Sequence, residues 1–116
     1  MALQPIPEQW RKEVCALLKA SVDWTIRPTK GFGEEFQKSF PQSFIEDVYE
    51  AYISFLEGGS PMGCPVPMDY PAGATWDFYF TFEGKKTYGK IMLRNDHKRI
   101  IPYSAHLPKK PKLRCE

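Results

Sequence analysis

Apolar and polar residues alternate between positions 74 and 106, and two turn signals interrupt the alternation. This pattern predicts a three-stranded antiparallel meander that buries one of its faces. The apolar positions of the first strand are large and aromatic: Trp76, Phe78, Phe80 and Phe82. A turn at residues 83–86 follows, where Gly84 can adopt a positive φ. We expect a register that sets Phe78 opposite Ile91 and places the large apolar side chains of both strands on one face.

The last strand of the meander has two registers open to it, which differ in the length of the preceding turn. A three-residue turn sets Ser104 opposite Lys90 on the polar face, and His106 opposite Tyr88. The residues that this register sends to the core are Ile101, Tyr103 and Ala105. A two-residue turn at positions 96–97 instead buries Ile100, Pro102 and Ser104. We favour the three-residue turn because burying an unpaired hydroxyl costs about 1–3 kcal/mol.

Two other segments repeat apolar residues with the period of a helix. Residues 7–20 form the first, which begins at Pro7 and carries an apolar stripe through Trp10, Val14, Leu17 and Leu18. The second begins at a capping box, in which Ser43 and Glu46 satisfy each other's backbone donors, and it ends at Gly58. Its wide apolar arc predicts that it packs deeply against the aromatic face of the sheet.

The remaining segments are less regular. Residues 22–28 alternate and predict a short strand with Arg27 on its polar side. Residues 29–40 carry phenylalanines four residues apart, which fits a helix, but their glycines weaken that assignment. Residues 58–73 contain four prolines and four glycines, so we expect a loop without a regular element. The basic tail, residues 107–116, is predicted to be extended and solvated, either as a disordered end or as an arm that contacts phosphate.

Together these elements predict a single α+β domain over residues 1–116. Two or three helices pack on one face of a mostly antiparallel sheet of about four strands, which ends in the three-stranded meander. The length suits one hydrophobic core. The net charge is +2, so binding to nucleic acid requires local clustering of basic residues.

The cysteines and the apolar runs restrict the class of protein. Three cysteines, at positions 15, 64 and 115, are widely spaced and include no C-x-x-C pair. With only two histidines, the chain is expected to contain neither a zinc site nor a disulfide framework, and no cofactor. A reducing cytoplasm is the expected setting. No apolar run approaches the roughly 20 residues that a membrane span needs, and no signal-peptide pattern is present, so no association with a membrane is expected.

Candidate chemistry lies on the polar face of the sheet. The Walker loop and the G-x-G-x-x-G, H-E-x-x-H and G-x-S-x-G motifs are absent from the sequence. The favoured register instead gathers five side chains on that face: Tyr79, Tyr88, Lys90, Ser104 and His106. His106 is the candidate acid or base, because histidine alone titrates near neutrality without perturbation. Asp77, on the same face, is a candidate ion-pair partner for Arg27 or Lys90.

This set of residues suits phosphoryl chemistry on RNA. A ribose 2′-hydroxyl that attacks its own phosphodiester needs a proton acceptor, a proton donor and fixed positive charge. The candidate catalytic residues are His106, Lys90 and Ser104, of which Ser104 orients a phosphate oxygen. Tyrosines stack on unpaired bases, a contact worth about 1–3 kcal/mol per base. The candidate substrate-binding residues are Tyr79, Tyr88, Arg27, Lys109 and Lys110.

Two short strands carry a resemblance to a known group of proteins. The segments Tyr88-Gly89-Lys90-Ile91 and Ile101-Pro102-Tyr103-Ser104-Ala105-His106, which follow two short helices, resemble the active-site strands of the Barnase–EndoU–colicin–RelE group of small ribonucleases. The resemblance covers about the last third of the chain. It implies a metal-independent ribonuclease, typically a toxin or effector that a cognate antitoxin or immunity protein neutralises. EndoU-type members are expected to supply two histidines, whereas His97 here falls in a predicted turn.

Two functions are therefore in competition. The first is a small RNA-cleaving or RNA-binding protein that acts from the open face of its sheet, with RNA and an antitoxin or immunity protein as partners. The second is a non-enzymatic protein-interaction domain, which binds a partner chain through a sheet edge and the proline- and glycine-rich segment.

Overall fold

An antiparallel sheet forms the frame of the protein. The computed structural model describes residues 2–20, 24–68 and 73–116, and these residues form three helices and a five-stranded sheet whose strands lie in chain order. The strands are β1 (Gln4–Pro5), β2 (Met62–Val66), β3 (Gly73–Phe82), β4 (Lys85–Arg94) and β5 (Ile100–His106). The helices are α1 (Glu8–Ala20), α2 (Lys30–Ser39) and α3 (Ile45–Leu56). The predicted α+β class is confirmed, with five strands in place of about four.

Two of the predicted irregular segments differ from expectation. The segment expected to be a loop contains β2, which pairs with both β1 and β3. Its proline at position 65 lies beyond Met62 and Gly63, the two residues that pair with β1, so it occupies an edge position, where a missing N–H is tolerated. The strand predicted at residues 22–28 is reduced to one parallel bridge between Ile26 and Ile100, and residues 22 and 23 lie outside the described part of the chain.

The three helices begin for different local reasons. Pro7 precedes α1, in agreement with the sequence. The ambiguous segment is a helix, α2, because the Thr29 side chain accepts a hydrogen bond from the amide of Phe32 at 3.1 Å. The predicted capping box is wrong: Phe44 is the N-cap of α3 and no side chain among the described residues caps it. The amide of Ser43 instead closes a turn on the carbonyl of Phe40 at 3.1 Å.

The hairpin between β3 and β4 has a two-residue turn. Glu83 and Gly84 both have positive φ, 54° and 72°, which is the backbone of a type I′ turn. This turn shifts the pairing by two residues from the predicted register, so Phe78 lies opposite Gly89 and not opposite Ile91. A shift of two preserves the side of every residue. The predicted apolar face is therefore confirmed, although its cross-strand pairs are wrong.

Strand β5 combines the two registers that the sequence left open. Beyond a bulge at Tyr103, Ser104 pairs with Lys90 and His106 pairs with Tyr88, as predicted. Before the bulge, the pairing is that of the alternative register, and Ile100 is completely buried. The predicted burial of Ile101 and Tyr103 is wrong, since both are half-buried. Because the bulge adds one residue, β5 buries Ile100 near its start and still pairs Ser104 and His106 with their predicted partners near its end.

The core lies between the helices and the aromatic face of the sheet. Tyr52 of α3 is completely buried, and its ring centroid lies 5.9 Å from that of Phe78 and 5.0 Å from that of Phe80. Its hydroxyl donates to the carbonyl of Ser104 at 2.6 Å. In α1, the indole N–H of Trp10 donates to the carbonyl of Ala74 at 2.9 Å. Helices α1 and α3 are thus tied to the sheet by partly buried hydrogen bonds as well as by packing.

Two glycine substitutions are expected to change stability in opposite directions. A Cβ at Gly89 would lie 2.6 Å from Cε2 of Phe78, so Gly89→Ala should lower the free energy of unfolding by about 1–3 kcal/mol. No described atom lies within 4 Å of a Cβ at Gly33 in α2, so Gly33→Ala should raise it by about 0.5–1 kcal/mol. Urea unfolding of both variants measures the two changes in the free energy of unfolding. Equal effects would contradict the close packing of Phe78 on β4.

Candidate functional site

The C-terminal segment 107–116 folds back over the polar face of the sheet. Leu113 and Cys115 are each only 6% exposed, and Leu113 packs near Tyr79 and Tyr88. The hydroxyl of Tyr79 donates to the carbonyl of Lys110 at 3.1 Å. The tail is therefore anchored to the sheet at Leu113 and Cys115, although most of its residues are exposed as predicted, and the face that was expected to be open is partly covered.

A disulfide joins the tail to the sheet. Cys115 is bonded to Cys64 of β2, with 5.8 Å between the two Cα atoms. Cys15 is free and buried in the core. The sequence was expected to contain no disulfide framework, and it did not predict this bond, because the fold brings together two residues that lie 51 positions apart. Disulfides persist mainly in oxidising compartments, so this bond counts against the cytoplasmic setting, which stays a prediction. Among the described residues, no helix is both long and apolar enough to cross a membrane.

A cavity of about 240 Å³ separates the tail from the polar face. We call it the tail cavity. Its lining residues are Asp77, Tyr79, Tyr88, His106, Pro108, Lys109, Lys110, Lys112, Leu113 and Arg114. The sheet supplies the carboxyl group and the rings, and the tail supplies the lysines and the arginine. The cavity therefore has an aromatic floor and a basic wall.

The aromatic floor extends across three neighbouring strands. Tyr79 and Tyr88 are direct cross-strand partners, and so are Tyr88 and His106. The two tyrosine ring centroids lie 6.3 Å apart, and the rings of Tyr88 and His106 lie 5.3 Å apart. The ammonium group of Lys86 lies 4.1 Å from the ring centroid of Tyr79. A continuous strip of ring surface results, with positive charge beside it.

Asp77 lies beneath the tail at one side of the floor. It is 2% exposed, and its Oδ2 accepts a hydrogen bond from the hydroxyl of Tyr88 at 2.8 Å. This partner differs from the predicted ones, Arg27 and Lys90. The other oxygen, Oδ1, is buried without a hydrogen-bond partner among the described residues. Burial raises the pKa of Asp77, although the hydrogen bond from Tyr88 acts in the opposite direction. Burial and the adjacent carboxylate also raise the pKa of Tyr88.

The tautomer of His106 follows from its neighbour. The Nδ1 atom lies 2.8 Å from the carbonyl oxygen of Leu107. A carbonyl oxygen only accepts, so Nδ1 carries the proton and the neutral ring keeps its lone pair on Nε2. The side chain is 8% exposed and lines the tail cavity. His106 is thus set up to accept a hydrogen bond or a proton.

The structure brings together some of the predicted site residues and separates others. The predicted residues that line the tail cavity are Tyr79, Tyr88, His106, Lys109 and Lys110. Lys90 and Ser104 face each other but are not part of its described lining, and the ammonium of Lys90 lies 5.1 Å from the ring centroid of Tyr103. Arg27 is exposed beside Ile100, and Ile100 precedes His106 by about 20 Å along the strand.

The lining also includes residues that the sequence did not identify as site residues. Lys112 and Arg114 belong to the basic run, which was the available signal for them. For Asp77 the sequence predicted an ion pair. Its hydrogen bond with Tyr88 was missed because the two residues become diagonal neighbours only in the shifted register.

Substitution of Asp77 tests whether its carboxylate is costly to bury. Because the folded-state pKa is raised, the favourable contribution of the protonated acid is complete below its ordinary pKa of 3.8 and is lost as pH rises through the raised value. Asp77→Asn, which cannot ionise, should therefore raise the free energy of unfolding at neutral pH by about 1 kcal/mol. Thermal unfolding across pH should show that this gain disappears in acid. A gain independent of pH would contradict the assignment.

No protein-family model, curated protein or solved structure matches this chain. The resemblance to small ribonucleases therefore stays a prediction. The assignment of a function depends on the geometry of the tail cavity.

Proposed function

We propose that the protein binds single-stranded RNA and seats one unpaired nucleotide in the tail cavity. The observation that carries this proposal is that four basic residues of the tail line a cavity beside one strip of rings, although the ammonium of Lys109 is already paired with Glu35. The basic residues are Lys109, Lys110, Lys112 and Arg114, and the rings are Tyr79, Tyr88 and His106.

Each part of the cavity matches a part of a nucleotide. Lysine and arginine neutralise phosphates, which supplies affinity that is independent of sequence. Aromatic side chains stack on bases that are not already paired. A recess of about 240 Å³ admits one nucleotide unit at most, whereas a duplex keeps its bases stacked and paired. The shape and the charge therefore favour single strands over duplexes.

RNA cleavage is a second candidate function, which the tautomer of His106 favours. A lone pair on Nε2 is what a general base needs to take the proton of a 2′-hydroxyl. Lys90 and Ser104, the other predicted catalytic residues, are not part of the described lining of the cavity. Binding therefore has the stronger support.

The competing interaction-domain hypothesis has less support. Peptide addition to a sheet edge needs free backbone groups. On β5, the carbonyl of Ile100 accepts from Arg27 at 3.0 Å, and the amide of Ile100 donates to Thr25 at 2.8 Å. The carbonyl of Pro102 accepts from Thr29 at 3.2 Å. This edge is thus already paired over its first residues.

Fluorescence anisotropy with a short, fluorescein-labelled single-stranded RNA tests the binding proposal. Replacing Lys112 and Arg114 together by glutamine should weaken binding roughly tenfold. The slope of log affinity against log salt concentration should fall by about 1.4, because each neutralised phosphate contributes about 0.7 to it. The matched control replaces two exposed lysines elsewhere, Lys12 of α1 and Lys98 of the β4–β5 turn. An equal loss in the control, or equal affinity for duplex RNA, would contradict a specific site.

Incubation with total RNA in EDTA tests cleavage separately. If His106 acts as the base, the wild-type protein cleaves and His106→Phe, which keeps an aromatic ring in the floor, does not, while both bind the labelled RNA. An intact RNA pool in the presence of a binding-competent wild type would rule out the catalytic candidate and leave the binding function in place.

A further inference from the structure

The two halves of the tail are held in different ways. Near its start, the amide of Leu107 donates to Oγ of Ser39 at 3.0 Å, and Lys109 forms an ion pair with Glu35 of α2. Near its end, the disulfide at Cys115 attaches the tail covalently to Cys64 of β2. The end that carries Lys112 and Arg114 thus depends on this bond.

The apolar contacts of the distal half form a small cluster apart from the main core. Its buried members are Cys64, Leu113 and Cys115, with partly buried side chains of Leu3, Tyr79 and Tyr88 against it. Two of the three buried members are the disulfide itself. Once the bond is cut, little apolar burial beyond Leu113 keeps the distal tail on the sheet.

The closed arrangement also carries an electrostatic cost. The tail covers the face where Oδ1 of Asp77 is buried without a partner among the described residues. Arg114 approaches this carboxylate from the tail and lines both cavities that Asp77 lines. Release of the distal tail would hydrate the oxygen but would also remove the nearby positive charge of Arg114, which stabilises the ionised carboxylate, so the two effects of opening oppose each other.

A cavity adjoins the bond. A second cavity of about 200 Å³ lies beside the disulfide, and both Cys64 and Cys115 line it. The sulfur atoms are therefore shielded from bulk solvent but are not enclosed in the main core. Thiol–disulfide exchange needs this kind of approach to a sulfur atom.

We propose that the Cys64–Cys115 disulfide is a redox gate on the tail cavity: the oxidised protein presents the basic wall, and reduction by a dithiol releases it. One thiolate of the dithiol attacks a sulfur of the bond and forms a mixed disulfide. Its second thiol displaces the protein, which leaves two cysteine thiols and a cyclic disulfide, with two electrons transferred in total. The effect on RNA depends on the function proposed above, whereas the movement of the tail does not.

Trypsin cleavage after Lys112 measures the tail without RNA. In the oxidised wild type, the buried side chain of Leu113 and the bond from its amide to Glu116 should slow cleavage at this peptide bond. Dithiothreitol, or the substitution Cys115→Ser, should raise the initial rate roughly tenfold, because local opening controls access of the protease. Mass spectrometry of quenched and fully reduced samples follows the reaction, because cleavage after Lys112 then separates residues 113–116 from residues 1–112. An unchanged rate in both cases would overturn the gate.

Two controls separate a local gate from a general loss of structure. Far-UV circular dichroism should show that the reduced wild type keeps its fold at the assay temperature. Dithiothreitol should have no effect on Cys115→Ser, which has no disulfide left to cut. A response of that variant to dithiothreitol would assign the effect to something other than the bond and overturn the gate.

Anisotropy with the labelled single-stranded RNA completes the test. Reduction should weaken binding roughly tenfold, the same loss that is expected when Lys112 and Arg114 are replaced. If cleavage by trypsin accelerates and binding stays the same, the tail moves but does not form the binding wall, which overturns the gate on the cavity. If neither redox form binds RNA, the proposed function fails, and the trypsin result still decides whether the tail is released.

Discussion

Replacing Phe78 by alanine is expected to lower the free energy of unfolding by about 3–5 kcal/mol. The side chain is completely buried. Its ring centroid lies 4.9 Å from that of Phe55 and 5.9 Å from those of Tyr52 and Phe80. These neighbours come from α3 and from the same strand, so they cannot all move in to fill the space. A large cavity should remain, and its cost adds to the lost transfer free energy.

Phe44 supplies the matched control, because it is the same residue type but is 71% exposed. Phe44→Ala should change the free energy of unfolding by no more than about 0.5 kcal/mol. Urea unfolding of the two variants gives the comparison. Similar losses for the two phenylalanines would show that the sheet does not bury the face that its alternation predicts.

Cys115→Ser is expected to lower the free energy of unfolding by about 2–4 kcal/mol. The bond closes a loop over a sequence separation of 51, and a closed loop of that length reduces the entropy of the unfolded chain. The reduced wild type should lose a similar amount. Chemical denaturation with and without dithiothreitol measures both losses.

The variant provides its own control for this prediction. Without the disulfide, Cys115→Ser should unfold at the same denaturant concentration in the presence and absence of dithiothreitol. An oxidised wild type that is no more stable than the variant would indicate that Cys64 and Cys115 are not bonded in solution.

The side of the sheet on which each residue of β3 and β4 lies could be predicted from the sequence alone. The alternation through Phe78 and Phe80 specifies the buried side whatever the pairing. The pairing itself could not be predicted, because it depends on whether Glu83 adopts a positive φ, which is uncommon for a residue with a Cβ. The conformation of the turn, rather than the hydrophobic pattern, therefore sets the two-residue shift in the pairing of β3 with β4.

The bulge at Tyr103 marks another limit of sequence reasoning. Each of the two candidate registers is correct for part of β5. Burial of Ile100 requires the two-residue turn, whereas exposure of Ser104 requires the three-residue turn. A single regular strand cannot satisfy both, and a pattern with a period of two contains no signal for an inserted residue. The partners of His106 and Ser104 were nevertheless predicted correctly, because they lie beyond the bulge.

The candidate site was only partly predictable for a related reason. Tyr79, Tyr88 and His106 share a face through local alternation, which the sequence displays. The basic wall depends on a contact between Cys64 and Cys115, and no local pattern encodes a contact of that sequence separation. A run of lysines and prolines is typical of a solvated segment. Here the buried side chain of Leu113 and the disulfide hold this segment against the sheet.

The chain contains two histidines, and their imidazole signals in an NMR titration test the central claim most directly. His106 lines the tail cavity, whereas His97 lies in the β4–β5 turn, where its Nδ1 is 2.9 Å from Oε1 of Glu13. Addition of a short single-stranded RNA to the oxidised protein should shift the signals of His106 and leave those of His97 unchanged. Shifts confined to His97, or no shift at either ring, would contradict binding in the tail cavity.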